Sequence, residues 1–184
     1  MRCATSIDMD FSSAPDAVMV RLVYIGNMSL SYDLATAVDA VKGDEGLSLD
    51  LAGAGPDEAE LRRLAAGCDR IRFHGYLGEV ELKTLLAKAD VGLVPMFDAS
   101  CVGVPYKLAD YAAAGLPAAS SLHGETEELL ARHVAGVTYR AKDADGLREA
   151  VRAAVGLRAG AEALAALFDA GKLYDGYVAF ATAL

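Results

Sequence analysis

The sequence predicts a doubly wound α/β domain, with about six parallel strands and helices on both faces. Three observations carry that prediction. Strand-length apolar runs and stretches of helical apolar spacing alternate six times, and the connections between them are short. The chain has 184 residues, 54% of them hydrophobic, which suits one domain with a sizeable core. Such a sheet is covered on both faces through right-handed crossovers, and its ligands sit at the carboxyl ends of the strands.

The elements follow in order. After an irregular start around Phe11 and Pro15, residues 19–25 form a buried strand that ends at Gly26 and Asn27. Residues 32–41 carry Leu34, Ala37, Val38 and Val41 on one helical face. Residues 47–52 are a second strand, residues 53–56 (Gly-Ala-Gly-Pro) a turn, and residues 57–66 a helix with Leu61 and Leu64 inward. Residues 70–73 and 79–88 repeat the pattern, and the apolar run 91–96 is the fourth strand.

A loop rich in small residues, 97–104, then leads into the most informative stretch, residues 105–117 (Pro-Tyr-Lys-Leu-Ala-Asp-Tyr-Ala-Ala-Ala-Gly-Leu-Pro). Pro105 suits a first helical turn because its missing N–H would be an orphan there, Gly115 supplies the stop, and Pro117 prevents continuation. A strand, a loop and a helix start in that order leave backbone N–H groups free to meet a phosphate. Residues 118–120 are a weak strand, 125–133 a helix, 136–139 a strand and 143–155 a helix. Residues 157–184 form an Ala-rich helical tail whose aromatics Phe168, Tyr174, Tyr177 and Phe180 pack on this chain's own core or on a second domain. The strand ends mark residues 26–31, 53–56, 74–78, 97–104 and 121–125 as candidate ligand positions.

Composition narrows the function classes. With 26 acidic against 17 basic residues the formal charge is −9, and without a basic stripe nucleic acid is not expected as a partner. Cys3, Cys68 and Cys101 are widely spaced, with no C-x-x-C pair or neighbouring His, so neither a disulfide framework nor a metal site is indicated. Cys101 precedes the informative helix, yet no His or Asn can be placed beside it as a nucleophile's partner. No run of 18 apolar residues and no signal-peptide core are present, so a cytoplasmic setting without a transmembrane segment is expected.

Taken in order, these blocks resemble the C-terminal, donor-binding half of the family 4 (group 1) retaining glycosyltransferases. Residues 23–27 (Val-Tyr-Ile-Gly-Asn) look like that family's first strand and glycine turn, and residues 51–56 like its second strand and Gly-x-Gly-Pro turn. Residues 71–77 and 89–93 are similar to its third and fourth strands, and residues 105–117 match best. The resemblance covers roughly residues 7–156 and implies a Rossmann-like domain that is one half of a GT-B fold. It casts residues 1–18 as an interdomain linker, 19–156 as the nucleotide-sugar-binding domain and 157–184 as the tail.

The resemblance also implies roles. Asp110 stands at the second Glu of the family's Glu-x7-Glu motif, whose carboxylate bonds the ribose hydroxyls; a shorter carboxylate can still accept both bonds. The alternative is a plain solvated Asp. Gly26 and Asn27 are candidate donor-binding residues, the N–H groups of Gly103 and Val104 are available to the diphosphate, and His74, Tyr76 and Leu77 are candidates to line the base. Tyr76 either stacks on the base or is partly buried packing. No cofactor or metal is implied.

Two departures stand out. Val102 occupies the place of the first motif Glu, and residues 27–31 lack the Arg and Lys that many members use to neutralise the leaving diphosphate. Lys107 either substitutes for them or is a solvated helix-surface lysine. The expected partners are a UDP- or GDP-sugar and an N-terminal acceptor domain supplied in cis or in trans, placing the enzyme peripherally at the inner membrane face. The alternative is a non-catalytic nucleotide-binding or interaction module of the same fold.

Overall fold

Strand and helix alternate throughout the computed structural model, which describes residues 19–97 and 102–168. The order is β1 (Val20–Ile25), α1 (Leu34–Lys42), β2 (Leu47–Ala52), α2 (Glu58–Leu64), β3 (Ile71–Gly75), α3 (Glu79–Lys88), β4 (Val91–Val94), α4 (Tyr106–Ala113), β5 (Ala118–Ser120), α5 (Glu125–His133), β6 (Gly136–Thr138), α6 (Ala144–Ala154) and α7 (Arg158–Ala165). The six strands form one parallel sheet in the order β3-β2-β1-β4-β5-β6. This is the doubly wound, Rossmann-like arrangement that the sequence predicts. Most boundaries fall within two residues of the sequence reading; β3 extends to Gly75 and α1 starts at Leu34.

Alternation along each strand divides the core in two. Leu22, Tyr24, Leu49, Leu51, Val91 and Leu93 point to the face covered by α1, α2 and α6. Val23, Ile25, Val94 and Ala118 point to the face covered by α3, α4, α5 and α7. The first helix of the tail, α7, therefore belongs to this domain: Ala161 and Leu164 are buried, Phe168 packs on the second core, and Arg158 Nη2 donates to Ala89 O at 2.7 Å. Tyr174, Tyr177 and Phe180, like Cys3, Cys101 and the linker-like start, lie outside the described residues.

Helix α4 is set by both its ends and its middle. Pro105 sits one position ahead of it, with extended backbone at the cap. Gly115 takes φ +65, letting Leu116 N–H reach back to Tyr111 O at 2.8 Å, which stops the helix as expected. Between them, fully buried Tyr111 runs into the sheet where β1 and β4 part. Its hydroxyl accepts from Ile25 N–H at 3.2 Å, with Leu93 O and Val23 O at 3.1 and 3.3 Å as its acceptors. The ring fits only because residue 92 is glycine, since a Cβ there would lie 2.5 Å from it.

Candidate functional site

The strand order reverses direction between β1 and β4, and doubly wound sheets open a crevice at that switch point. A cavity of about 450 Å³ lies there, lined by Ile25, Gly26, Tyr32, Leu82, Met96, Val102, Val104, Pro105, Tyr106, Lys107 and Asp110. A second, of about 290 Å³, shares Ile25, Gly26 and Leu82 with it and adds Asn27, Ala52, Gly53, Tyr76 and Leu77. Together they form one cleft along the carboxyl ends of β1, β2 and β4.

Backbone hydrogen bonds hold the cleft's loops to one another. The β1–α1 loop is tied to the β2–α2 turn by Met28 N–H to Ala54 O at 2.9 Å and Asp57 N–H to Met28 O at 3.0 Å. Gly53, at φ +123, lies so close to Gly26 O that any side chain would overlap it. The Gly-Ala-Gly-Pro turn is thus explained by loop-on-loop packing. On the other side Asp33 N–H donates to Pro95 O at 2.8 Å, and Ser121 Oγ accepts from Met96 N–H at 2.7 Å and donates to Met96 O at 2.6 Å. Thr126 Oγ1 donates to Gly103 O at 2.5 Å, anchoring the loop just ahead of α4.

Lys107 is where the structure departs most from the sequence reading. The solvated-lysine alternative is excluded: the residue is only 8% exposed. Its Nζ lies 3.8 Å from the ring centre of Tyr32 and 4.2 Å from that of Tyr24, which meet edge to face, and it has no hydrogen-bond partner among the described residues. Burial pushes its amine down to about 7. The Tyr24 hydroxyl donates to Asn27 O at 2.5 Å, and burial pushes that hydroxyl far up, so it remains neutral.

Asp110 follows Lys107 by three positions, so the two project from one face of α4. Asp110 is exposed and lines the larger cavity, and partial burial raises its carboxyl above the ordinary range. Leu108 N–H bonds back to Pro105 O at 2.9 Å, and helix geometry leaves the N–H groups of Tyr106 and Lys107, at the end of α4 that lines the cavity, without intrahelical acceptors. The combination of a buried lysine amine, a carboxylate and a helix start can hold an anion next to a diol.

The remaining candidates distribute as follows. Gly26 lines both cavities, and Asn27, Tyr76 and Leu77 line the smaller. Tyr76 is 85% exposed, which excludes the partly buried alternative and leaves its ring on the rim. Val104 lines the larger cavity, while Gly103 sits behind it on the Thr126 anchor. His74 is absent from both linings; its Nε2 lies 2.7 Å from Asp50 Oδ1 of β2. Val102 does line the larger cavity, and its side chain carries no hydrogen-bonding group.

Sequence reasoning missed Tyr24, Tyr32, Met96 and Leu82. Tyr24 was legible only as a core-facing strand position, and nothing in its spacing from Lys107 announced that the two meet.

With that geometry in place, comparison with known proteins decides the family. The profile of the glycosyl transferases group 1 family matches residues 20–156, most of the chain. The chain belongs to this family. Among curated relatives, the group 1 domain is 28% identical over 138 residues to the amylovoran biosynthesis glycosyltransferase AmsK of Erwinia amylovora, covering 70% of this chain and 34% of AmsK. It is 27% identical over 161 residues to the glycosyltransferase WcaL of Escherichia coli K12, named for colanic acid biosynthesis, covering 80% of this chain and 40% of WcaL. The chain thus spans well under half the length of either relative.

Solved structures agree on the fold. Anabaena HepE, crystallised with UDP and glucose, matches with a TM-score of 0.73 at 15% identity, over 91% of this chain and 49% of HepE. Sucrose-phosphate synthase from Thermosynechococcus elongatus matches at 0.67 and 22% identity, over 90% of this chain and 47% of the enzyme. The group 1 domain has the architecture of one half of a GT-B glycosyltransferase. Among the described residues no helix is long and apolar enough to cross a membrane.

Proposed function

We propose that the cleft binds a nucleotide-diphosphate sugar and that this domain is the donor-binding half of a family 4 enzyme transferring that sugar with retention. One observation carries the reading: a buried lysine nitrogen with no hydrogen-bond partner among the described residues, on the floor of the cleft, one helical turn from a carboxylate. On this reading Lys107 and the first turn of α4 receive the diphosphate. Asp110 accepts from the ribose hydroxyls, and Tyr76 and Leu77 flank the base over Gly26 and Asn27. The solved complexes of HepE with UDP and with UDP-glucose support a UDP-type donor, with GDP as the other candidate.

Transfer breaks the bond between the sugar's anomeric carbon and the diphosphate oxygen, and negative charge gathers on the departing diphosphate. Preorganised donors aimed at that charge lower the barrier, and the Lys107 ammonium with the α4 N–H groups supplies them. The acceptor comes from an N-terminal domain, joined in cis or in trans. The cleft's rim supports such a partner: Leu30, Tyr76, Val80 and Tyr106 are each more than three-quarters exposed. The names of AmsK and WcaL support a role for the assembled enzyme in polysaccharide synthesis, and on the same reading it is cytoplasmic and peripheral at the inner membrane face.

Titration with UDP and GDP tests the reading. A charge-assisted hydrogen bond contributes about 1.5–3 kcal/mol, so Asp110→Ala should weaken nucleotide binding by about 10- to 100-fold. The exposed position of Asp110 leaves folding unchanged. No binding to the wild-type chain at millimolar concentration would refute it. A second reading, the non-catalytic module, is favoured by Val102 on the cavity wall. Unchanged transferase activity of the assembled protein carrying Asp110→Ala would decide for the module.

A further inference from the structure

An ammonium at the position of Lys107 Nζ has lost its water and gained only two tyrosine faces. Cation–π contact offsets part of that loss, and an opposed carboxylate would normally supply the rest. None is in place. From β1 the group facing Nζ is the neutral hydroxyl-bearing ring of Tyr24, and from the loop ahead of α1 it is Tyr32. On α4 itself, Tyr111 is turned away into the β1–β4 seam, and Asp110 is the only carboxylate lining the larger cavity among the described residues. Asp110 makes no hydrogen bond to Lys107 Nζ and so does not hold the charge.

We propose that the diphosphate enters this cleft together with a proton: Lys107 is largely a neutral amine in the empty site, takes one proton from solvent as the diphosphate arrives, and returns it when the diphosphate leaves. This rests on the donor-binding reading above and assigns how that site is switched. The balance is simple. The amine's lone pair takes a proton from the buffer acid, and the resulting ammonium forms an ion pair with the diphosphate's oxygens. The lowering of the amine to about 7 is the direction expected for desolvation without a counter-ion, and an adjacent diphosphate reverses it. The empty domain thereby avoids a bare buried charge. An arginine, charged at all relevant pH, could not behave so.

Proton linkage fixes the expected numbers. At pH 8 about nine in ten empty sites are neutral, so each binding event takes up about 0.9 proton, falling to about 0.5 at pH 7. Apparent affinity weakens toward tenfold per pH unit above pH 7. Calorimetric titration of the full chain with UDP and with GDP, in HEPES and in Tris at pH 7.0, 7.5 and 8.5, reads the uptake from the difference in heat. A terminal phosphate with its second pKa near 6 is largely ionised over this range and contributes little.

Lys107→Met should bind more weakly and show no uptake, and Lys107→Arg should bind with affinity independent of pH. Should either variant fail to fold, 15N-lysine NMR of the wild-type chain gives the same answer: Lys107 should titrate near pH 7 when empty and at least two units higher when saturated with UDP. Binding with equal heats in the two buffers, an ordinary lysine titration in the empty chain, or uptake that persists in Lys107→Met would each overturn the coupling alone. Absence of any UDP or GDP binding from pH 6 to 8.5 would remove the donor-binding reading, and the coupling with it.

Discussion

Replacing Tyr111 by Phe removes one oxygen atom from the place where the sheet divides. The β1–β4 ladder pairs Leu22 with Val91 and Val23 with Gly92, and beyond that pair the two strands diverge. The hydroxyl of Tyr111 fills the gap, accepting from Ile25 N–H and facing Leu93 O and Val23 O. Phe keeps the ring that fits over Gly92, so the packing term stays and the polar term goes. A buried N–H left without an acceptor costs about 1–3 kcal/mol, and hence Tyr111→Phe should destabilise the domain by about 2 kcal/mol. At a urea slope of about 2 kcal/mol/M, the unfolding midpoint should drop by about 1 M. Because Ile25 lines both cavities, nucleotide affinity should fall as well. A midpoint within about 0.25 M of wild type, equivalent to about 0.5 kcal/mol, would refute the assignment of the hydroxyl as the bridge across the switch point.

Three further substitutions probe the same framework. Gly92→Ala drives a methyl to 2.5 Å from the Tyr111 ring and should cost about 1–3 kcal/mol by urea unfolding, less than additively with Tyr111→Ala. Ser121→Ala leaves the Met96 N–H without its acceptor and should cost about 1–3 kcal/mol, with a matching loss of amide exchange protection at Met96. Lys107→Met should stabilise the empty chain most at about pH 6 and below, where the unfolded chain and the folded chain both carry the charge and only the folded chain buries it. Between about pH 7 and the ordinary lysine range the unfolded chain binds more protons, so wild-type stability rises with pH and the variant's advantage shrinks, visible as converging urea midpoints.

The fold was legible because its signals are local and repeat. Strand runs such as residues 47–52 and 118–120 and the helix 125–133 were read to the residue, since apolar periodicity and helix-end residues lie within a few positions of each other. Asp110 was legible as well, because a helix start and a carboxylate at fixed spacing belong to one element. The environment of Lys107 was not. Its partners Tyr24 and Tyr32 come from the far side of the switch point, more than seventy residues earlier in the chain, and only the strand order brings them together. Of the two alternatives for Tyr76 the packed one does not hold: a tyrosine beside a strand is usually packed, and here the loop turns it outward.

The uncharged β1–α1 loop looked, in sequence, like the loss of the diphosphate's counter-charge. In the fold that reasoning reverses. Lys107 enters from α4 and places its nitrogen beneath the same loop, 3.7 Å from where a side chain on Gly26 would begin. Asn27 and its neighbours need not carry charge if α4 delivers it to their underside. The route has a cost that an exposed cation on the loop would not incur, because a lysine reaching through the core must be desolvated. The two tyrosines, the low-lying amine and the lack of a hydrogen-bond partner among the described residues are all consequences of that path. On the proposed reading the positive charge has moved from one wall of the cleft to the other, which leaves Val102 as the substantive departure and confines the question of catalysis to the sugar end of the site.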